Sequence, residues 1–470
     1  MILVKNAKII DGTGGPMRRG DVLVSGGSIS AVGTFPGKKA DIVIEALGMH
    51  LVPGFIAPHT HADHTLGIFT DPGQAEARAE GITTAIGGND GLSLAPLMYG
   101  SLRSLRSWSG EGRINVGWHG MGEFAAAIGR MRLGINFATF AGYETIRRDV
   151  KGDGDGDMTD RETAVAMDIA KTAIEEGALG VSLDLDDAYG QKISHEEARL
   201  VARTVAEAGG ILSLRMRRRE EHFMEAAQEA VALYKSTGAT IVVRDFVPPG
   251  LKKAEERDFM LAYETLRTAG DNLFVELFFG ERRRLRIGDL LPRRARHDDP
   301  AAVHAALRDK KSRKEILGEL PRCPDATILS VPREHRHLAG TTLESFAHAR
   351  GLTLKEGVAE LMGITRMQAV LALPHAPSQL NAELMKDSRT ILSGSPRAIF
   401  AAADAARWPI ERTVMRLTSA HAKAFGLRKR GVIAENRPAD LALMNDRGEI
   451  PQTVVGGKAE GTGGIFLKAA

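Results

Sequence analysis

Apolar and polar positions alternate along the first 49 residues. Residues 2–10, 21–25, 28–32 and 41–45 carry the two-residue period of half-buried strands. Asp11-Gly-Thr-Gly-Gly15 and Gly26-Gly27 supply turns between them. From Met49 the pattern changes to short apolar runs alternating with helical stretches. Residues 81–86, 113–117, 177–182, 211–214, 240–243, 273–277, 326–331 and 390–392 read as buried strands. Thr159-Asp-Arg-Glu162 and Ser194-His-Glu-Glu197 are capping boxes, in which first and last side chains each accept the other residue's backbone N–H. They open helices reaching residues 176 and 208. Turns and strands return after about residue 425, at 430–433, 438–443 and 453–455.

Strands alternating with helices predict a parallel sheet. The single continuous alternation favours the α/β class with a (β/α)8 barrel over an open sheet. The barrel is expected over 50–424, and the strand-rich ends, 1–49 and 425–470, are expected to join in a small β-sandwich-like domain. Residues 281–322 are basic, helical and irregular and read as an insertion, with the arginine-rich 282–296 as a solvated face.

Composition narrows the function classes. The chain has 470 residues, 43% apolar and 26% charged, ordinary for a globular protein. A net charge of +3 offers no bulk electrostatic case for nucleic acid or a membrane. No apolar run nears the roughly 18 residues of a membrane span. Cys323 is the sole cysteine, so no intrachain disulfide forms. The N-terminal Met-Ile-Leu-Val-Lys-Asn lacks the flanks of a signal peptide. A cytoplasmic protein is expected, with a small molecule or anion as partner and a homo-oligomer left open.

The candidate chemistry lies in Leu51-Val-Pro-Gly-Phe-Ile-Ala-Pro-His-Thr-His-Ala-Asp63, which reads as a buried strand ending in two histidines. A two-residue period puts His59 and His61 on one face, as half of a divalent-metal site. In a barrel they would sit at the C-terminal ends of the strands, where chemistry is placed. Two other motifs carry little. Asp153-Gly-Asp-Gly-Asp157 lacks the Gly and Glu of a calcium loop, having Met158 and Ala164 at those positions. Gly12-Thr-Gly-Gly15 precedes no helix and reads as a turn, not a phosphate cradle.

Taken in order, several blocks carry a resemblance: Val52-Pro-Gly-Phe-Ile56, His59-Thr-His61, Gly81-Ile-Thr-Thr84, Gly88-Asn-Asp-Gly-Leu-Ser-Leu-Ala-Pro96, Gly177-Ala-Leu-Gly-Val-Ser182, Leu290-Leu-Pro292 and Pro438-Ala-Asp-Leu441. The set resembles the amidohydrolase superfamily, and within it the N-acyl-D-amino-acid deacylase (D-aminoacylase) group, over nearly the whole chain. The resemblance implies a metal-dependent, zinc-type hydrolase acting on an amide C–N bond, with two metal positions and six ligands. His59 and His61 match the first pair. Asp90 stands where the family has a cysteine, and Arg215 and Arg244 stand where it has histidines. Arg217 matches the family's own mouth arginine, and Gly394 replaces its acid/base aspartate.

These departures imply loss of the two-metal reaction. His59, His61 and Asp90 could hold at most one zinc or other divalent ion. Guanidinium cannot ligate, and two such groups within about 4–6 Å would repel a cation by several kcal/mol. That repulsion predicts zinc well below one equivalent. Three readings stay open. The first is a hydrolase with a reduced metal site. The second is a metal-free, pseudoenzyme-like relative that binds an anion or partner through its arginines, with Arg215 and Arg244 paired to Asp90 and Asp184. The third is a structural or oligomerisation subunit.

Overall fold

The computed structural model describes residues 1–99, 116–152, 156–217, 222–247, 255–297, 299–375, 379–459 and 463–469. Part of the Asp153–Asp157 motif, Arg218 and Arg219, and most of the strand expected at 113–117 lie outside them. β1 (Ile2–Ile9), β2 (Arg18–Ser25) and β3 (Ser28–Gly33) pair antiparallel, while β4 (Ile42–Glu45) and β5 (His50–Pro53) run parallel to β1. Their alternating apolar positions, Ile2, Val4, Val22, Val24 and Leu51, share one buried cluster with Leu441 and Leu443 from the far end of the chain.

The stretch from Leu51 is two strands, not one. β5 belongs to the small sheet, and after Gly54 the chain enters the barrel as β6 (Phe55–Ala57). β7 (Ile82–Gly87), β8 (Asn136–Thr139) with its continuation β9 (Ala141–Gly142), β10 (Gly180–Asp184), β11 (Ile211–Arg215), β12 (Thr240–Val243) and β13 (Leu273–Phe279) follow, each parallel to the one before. The third barrel strand is thus 136–142. Its polar first residue hides it in the sequence: Asn136 is buried because its side-chain amide donates to Thr83 O at 3.0 Å.

The chain then leaves the barrel. β14 (Arg282–Arg286), β15 (Thr327–Ser330) and β16 (Val370–Pro374) form an antiparallel sheet with its own core, including Ile287, Val303, Phe346 and Leu371. Residues 326–331, expected in the barrel, belong here, and the inserted unit runs on past 322 to β16. The arginines of 282–296 correct the expectation of a solvated face. Arg283 pairs with Asp245, Arg293 with Asp186, and Arg286 with Asp289 at 3.1 Å and Asp187 at 3.6 Å. Only 12–17% of these three side chains is exposed, because the acidic loops after β10 and β12 receive them. The insertion is therefore docked on the C-terminal end of the barrel. Arg294 does remain about half exposed, on Glu315 and Glu319.

β17 (Thr390–Gly394) returns to pair in parallel with β13. Ile56, Ile86, Phe140, Ile211, Val242 and Ile391 meet in one interior cluster drawn from both ends of this ladder, so its parallel strands surround a common core in the manner of a (β/α)8 barrel. β18 (Leu441–Met444) and β19 (Gln452–Val454) then complete the first sheet, in the order β19-β18-β5-β1-β2-β3. Among the described residues no helix is long and apolar enough to cross a membrane.

One buried histidine makes the fold acid-sensitive. His421 lies against β6, donating from Nδ1 to Ile56 O at 2.9 Å. Burial lowers its pKa to about 4. The folded value lies below the unfolded one, so stability is full above about pH 6.5 and falls as pH drops from there toward 4. The loss reaches roughly 3 kcal/mol at the acid end. Chemical denaturation at pH 7 and pH 4.5 should show it, and His421→Gln should flatten this part of the profile. An unchanged slope in the variant would remove His421 as the cause.

Candidate metal centre at the barrel mouth

His59 and His61 follow β6 in an extended segment that keeps contact with β7 through Thr60 N–H to Ile86 O at 3.1 Å. This continued pairing turns Thr60 one way and both imidazoles the other. Asp90 follows β7 in the left-handed region, with φ of 53°. Its Oδ2 lies 3.4 Å from His59 Nε2 and 3.9 Å from His61 Nδ1. The three side chains offer donor atoms within 4.8 Å of one another, and they form the one such group among the described residues.

β13 contributes a residue that motif reading overlooked. Glu276 is fully buried, with Oε1 3.2 Å from His59 Nδ1 and Oε2 ion-paired with the buried Arg244. Arg244 Nη1 also donates to Asn89 Oδ1 at 2.9 Å and Pro58 O at 3.3 Å. The signal for Glu276 was a lone carboxylate inside the apolar run Leu273–Phe279, which cannot stay buried and charged without a cation. Arg215 Nη1 meets Asp184 Oδ2 at 3.1 Å, as expected, and Asp184 Oδ1 accepts the N–H groups of Asp186 and Asp187. Arg244 pairs with Glu276 instead of Asp90, whose neighbours are the two histidines.

Charges follow from this arrangement. Burial and the Arg244 cation pull the His59 pKa down, but Glu276 and Asp90 outweigh them and hold it at about 9. Burial pulls His61 well below the usual imidazole value, and the neighbouring His59 adds to the effect. Burial pushes Asp90 up, but His59, His61 and Arg215 together hold it well below the carboxylate range. Each arginine at the old histidine positions thus carries its own carboxylate. The expected repulsion of a cation is largely cancelled, because a paired guanidinium presents little net field.

Other candidates lie elsewhere. Arg217 does not converge with Arg215 and Arg244; it turns outward to Glu229 at 3.2 Å and Ile193 O at 2.8 Å. Asp63 is buried beneath the site and accepts Gly88 N–H at 2.6 Å. Asp245 is held by Arg283. Gly394 has φ of 99°, and a Cβ there would lie 1.9 Å from Phe279 O. The backbone itself has closed the place of the missing carboxylate. Gly394→Asp is therefore expected to restore nothing and to destabilise by roughly 2–4 kcal/mol, read by chemical denaturation. A stable, more active variant would contradict this.

The donor set suits one divalent ion. His59 Nε2 faces Asp90 Oδ2 at 3.4 Å, Asp90 Oδ1 is buried without a hydrogen-bond partner, and two imidazoles with one carboxylate match a three-ligand catalytic site. Arg215 and Arg244, at the positions where the resemblance implies histidines, each have a carboxylate partner.

No family model matches the chain. It is 27% identical over 459 residues to the D-aminoacylase of Alcaligenes xylosoxydans xylosoxydans, covering 94% of this chain and 88% of that protein. The N-acyl-D-aspartate deacylase of the same organism is 30% identical over 265 residues, 56% of this chain and 52% of the relative. A structure of N-acyl-D-glutamate deacylase from Bordetella bronchiseptica, complexed with zinc and a phosphonate inhibitor, superposes with a TM-score of 0.82 at 22% identity, covering 100% of this chain and 99% of that one. Over nearly its whole length the chain is thus similar to D-aminoacylase. A crystal structure of D-aminoacylase, at 21% identity and a TM-score of 0.78 over 99% of both chains, shares the fold.

Proposed function

We propose that the protein hydrolyses an amide-type C–N bond, in an N-acyl amino acid or a related compound, at a single-cation site formed by His59, His61 and Asp90. The observation that carries this reading is the three-donor cluster of His59, His61 and Asp90, within which Asp90 Oδ1 is buried without a hydrogen-bond partner. Zinc in the Bordetella deacylase supports the cation, and a D-aminoacylase study describing one-metal activation and second-metal attenuation supports a single one. A divalent ion held there supplies Lewis acidity toward a carbonyl oxygen and makes water a better nucleophile.

The chain's own residues supply the rest. Glu276 orients His59, and the Arg244 pair keeps Glu276 ionised. The docked insertion narrows the approach to the mouth, through Arg283, Arg286 and Arg293. Gly394 itself offers no proton-transferring carboxylate, so turnover should be slow for this lineage. General acid–base help is worth roughly 10²–10⁴-fold.

The test is reconstitution. Metal-free protein titrated with zinc should take up one equivalent by elemental analysis after gel filtration. The loaded protein should release acid from a panel of N-acetyl amino acids of both configurations. Uptake of well under one equivalent, with no hydrolysis, would leave the metal-free reading in its place.

A further inference from the structure

The two histidines do not stand alone, and their supports differ. His59 Nδ1 faces Glu276 Oε1 at 3.2 Å, so its Nδ1 proton is donated there and Nε2 is turned toward Asp90. His61 Nδ1 lies 3.2 Å from His64 Nδ1. His64 is fully buried, and its Nε2 lies 3.1 Å from Leu92 O and 3.8 Å from Asp63 Oδ2. Both are oxygens that only accept, so His64 Nε2 carries a proton that it donates to them. Its Nδ1 is then the acceptor, and the hydrogen between the two rings belongs to His61 Nδ1. That assignment leaves the His61 lone pair on Nε2. A ligating histidine held through its second nitrogen is the usual support of a metal site, and loss of such a partner typically costs 10–100-fold in affinity.

We propose that Glu276 and His64 are positioning residues, each fixing which ring nitrogen His59 and His61 present to the cation. This rests on the single-cation reading above. Arg244 serves the same arrangement one step further out. It balances the Glu276 carboxylate, which otherwise would be a buried, half-satisfied charge. The His64 arm is a relay that ends on a backbone carbonyl, Leu92 O.

The experiment compares Glu276→Gln, His64→Phe and His64→Asn with the unaltered protein. The first readout is zinc affinity, by competition with a chromophoric chelator. Glu276→Gln and His64→Phe should each bind about 10–100-fold more weakly at unchanged stoichiometry. His64→Asn, whose Oδ1 takes the place of Nδ1 and can accept from His61, should recover affinity to within a few-fold. The second readout needs no metal. In ¹⁵N-histidine-labelled metal-free protein, the His61 nitrogen shifts should report the Nδ1–H tautomer. His64→Phe should redistribute it and His64→Asn should restore it. Circular dichroism and denaturation midpoints confirm that each variant folds. Affinities within threefold of the unaltered protein for both Glu276→Gln and His64→Phe would overturn the proposal. So would an Nε2–H tautomer for His61, or an Asn variant as weak as the Phe variant. If the unaltered protein takes up no zinc, the single-cation reading fails by itself, and the tautomer shifts still decide the His64 relay.

Discussion

Arg244→Met is expected to destabilise the protein by about 3–5 kcal/mol, measured by chemical denaturation. The methionine keeps most of the volume and removes the charge. What remains is Glu276, fully buried, with only His59 to offset it. Asn89 Oδ1 and Pro58 O lose a donor at the same stroke. The magnitude comes from the stranded carboxylate more than from the lost attraction, because burying two charges already costs most of what their pairing returns. The double variant Arg244→Met with Glu276→Met tests that distinction: with neither charge present, stability should recover to within about 1–2 kcal/mol of the parent. Arg215→Met is a calibrating comparison. Its partner Asp184 keeps two backbone N–H donors, and Arg215 is 17% exposed, so the loss should be nearer 1–2 kcal/mol. A single Arg244→Met variant within 1 kcal/mol of the parent would mean that water or relaxation rescues Glu276.

The same pair explains what could and could not be read along the chain. The barrel was legible because its strands are short apolar runs at regular intervals, and the histidines because a two-residue period projects them together. The charge balance was not. Arg215 and Arg244, read one at a time, look like cations thrust against a metal. Whether they repel it depends on which carboxylate each meets, and Glu276 reaches Arg244 from the next barrel strand, an apolar run that carries no acidic motif. Sequence distance hides it: His59 and Glu276 are 217 positions apart and 3.2 Å from each other. The insertion failed to read for a related reason. An arginine-rich strand looks solvated until the aspartates after β10 and β12 are placed opposite it. Gly394 was read as a lost carboxylate, but only the backbone showed that the space is also gone.

The second large effect is expected from Asp90→Asn: zinc affinity should fall at least about 10³-fold while the fold is retained. Asp90 holds a positive φ of 53°, a conformation that asparagine tolerates as well as aspartate does, so the backbone has little reason to move. The side chain keeps its shape and loses its charge. It is the only anion among the three donors, and a neutral amide oxygen in its place leaves a divalent ion held by two neutral imidazoles. Loss of an outer partner costs 10–100-fold, and loss of a charged ligand should exceed it. Hydrolysis at a fixed, subsaturating zinc concentration should fall in proportion. His59 reports the same change independently. With the carboxylate gone from its Nε2 side, its pKa should drop from about 9, since Glu276 alone remains to oppose burial and Arg244. Stability held through that raised pKa is full below about pH 6.5 and fades as pH rises through 9, so the variant should lose stability at pH 7 and little further above it. Zinc affinity within tenfold of the parent would show that Asp90 is not a ligand. The three-donor site, and the hydrolase reading built on it, would then go together.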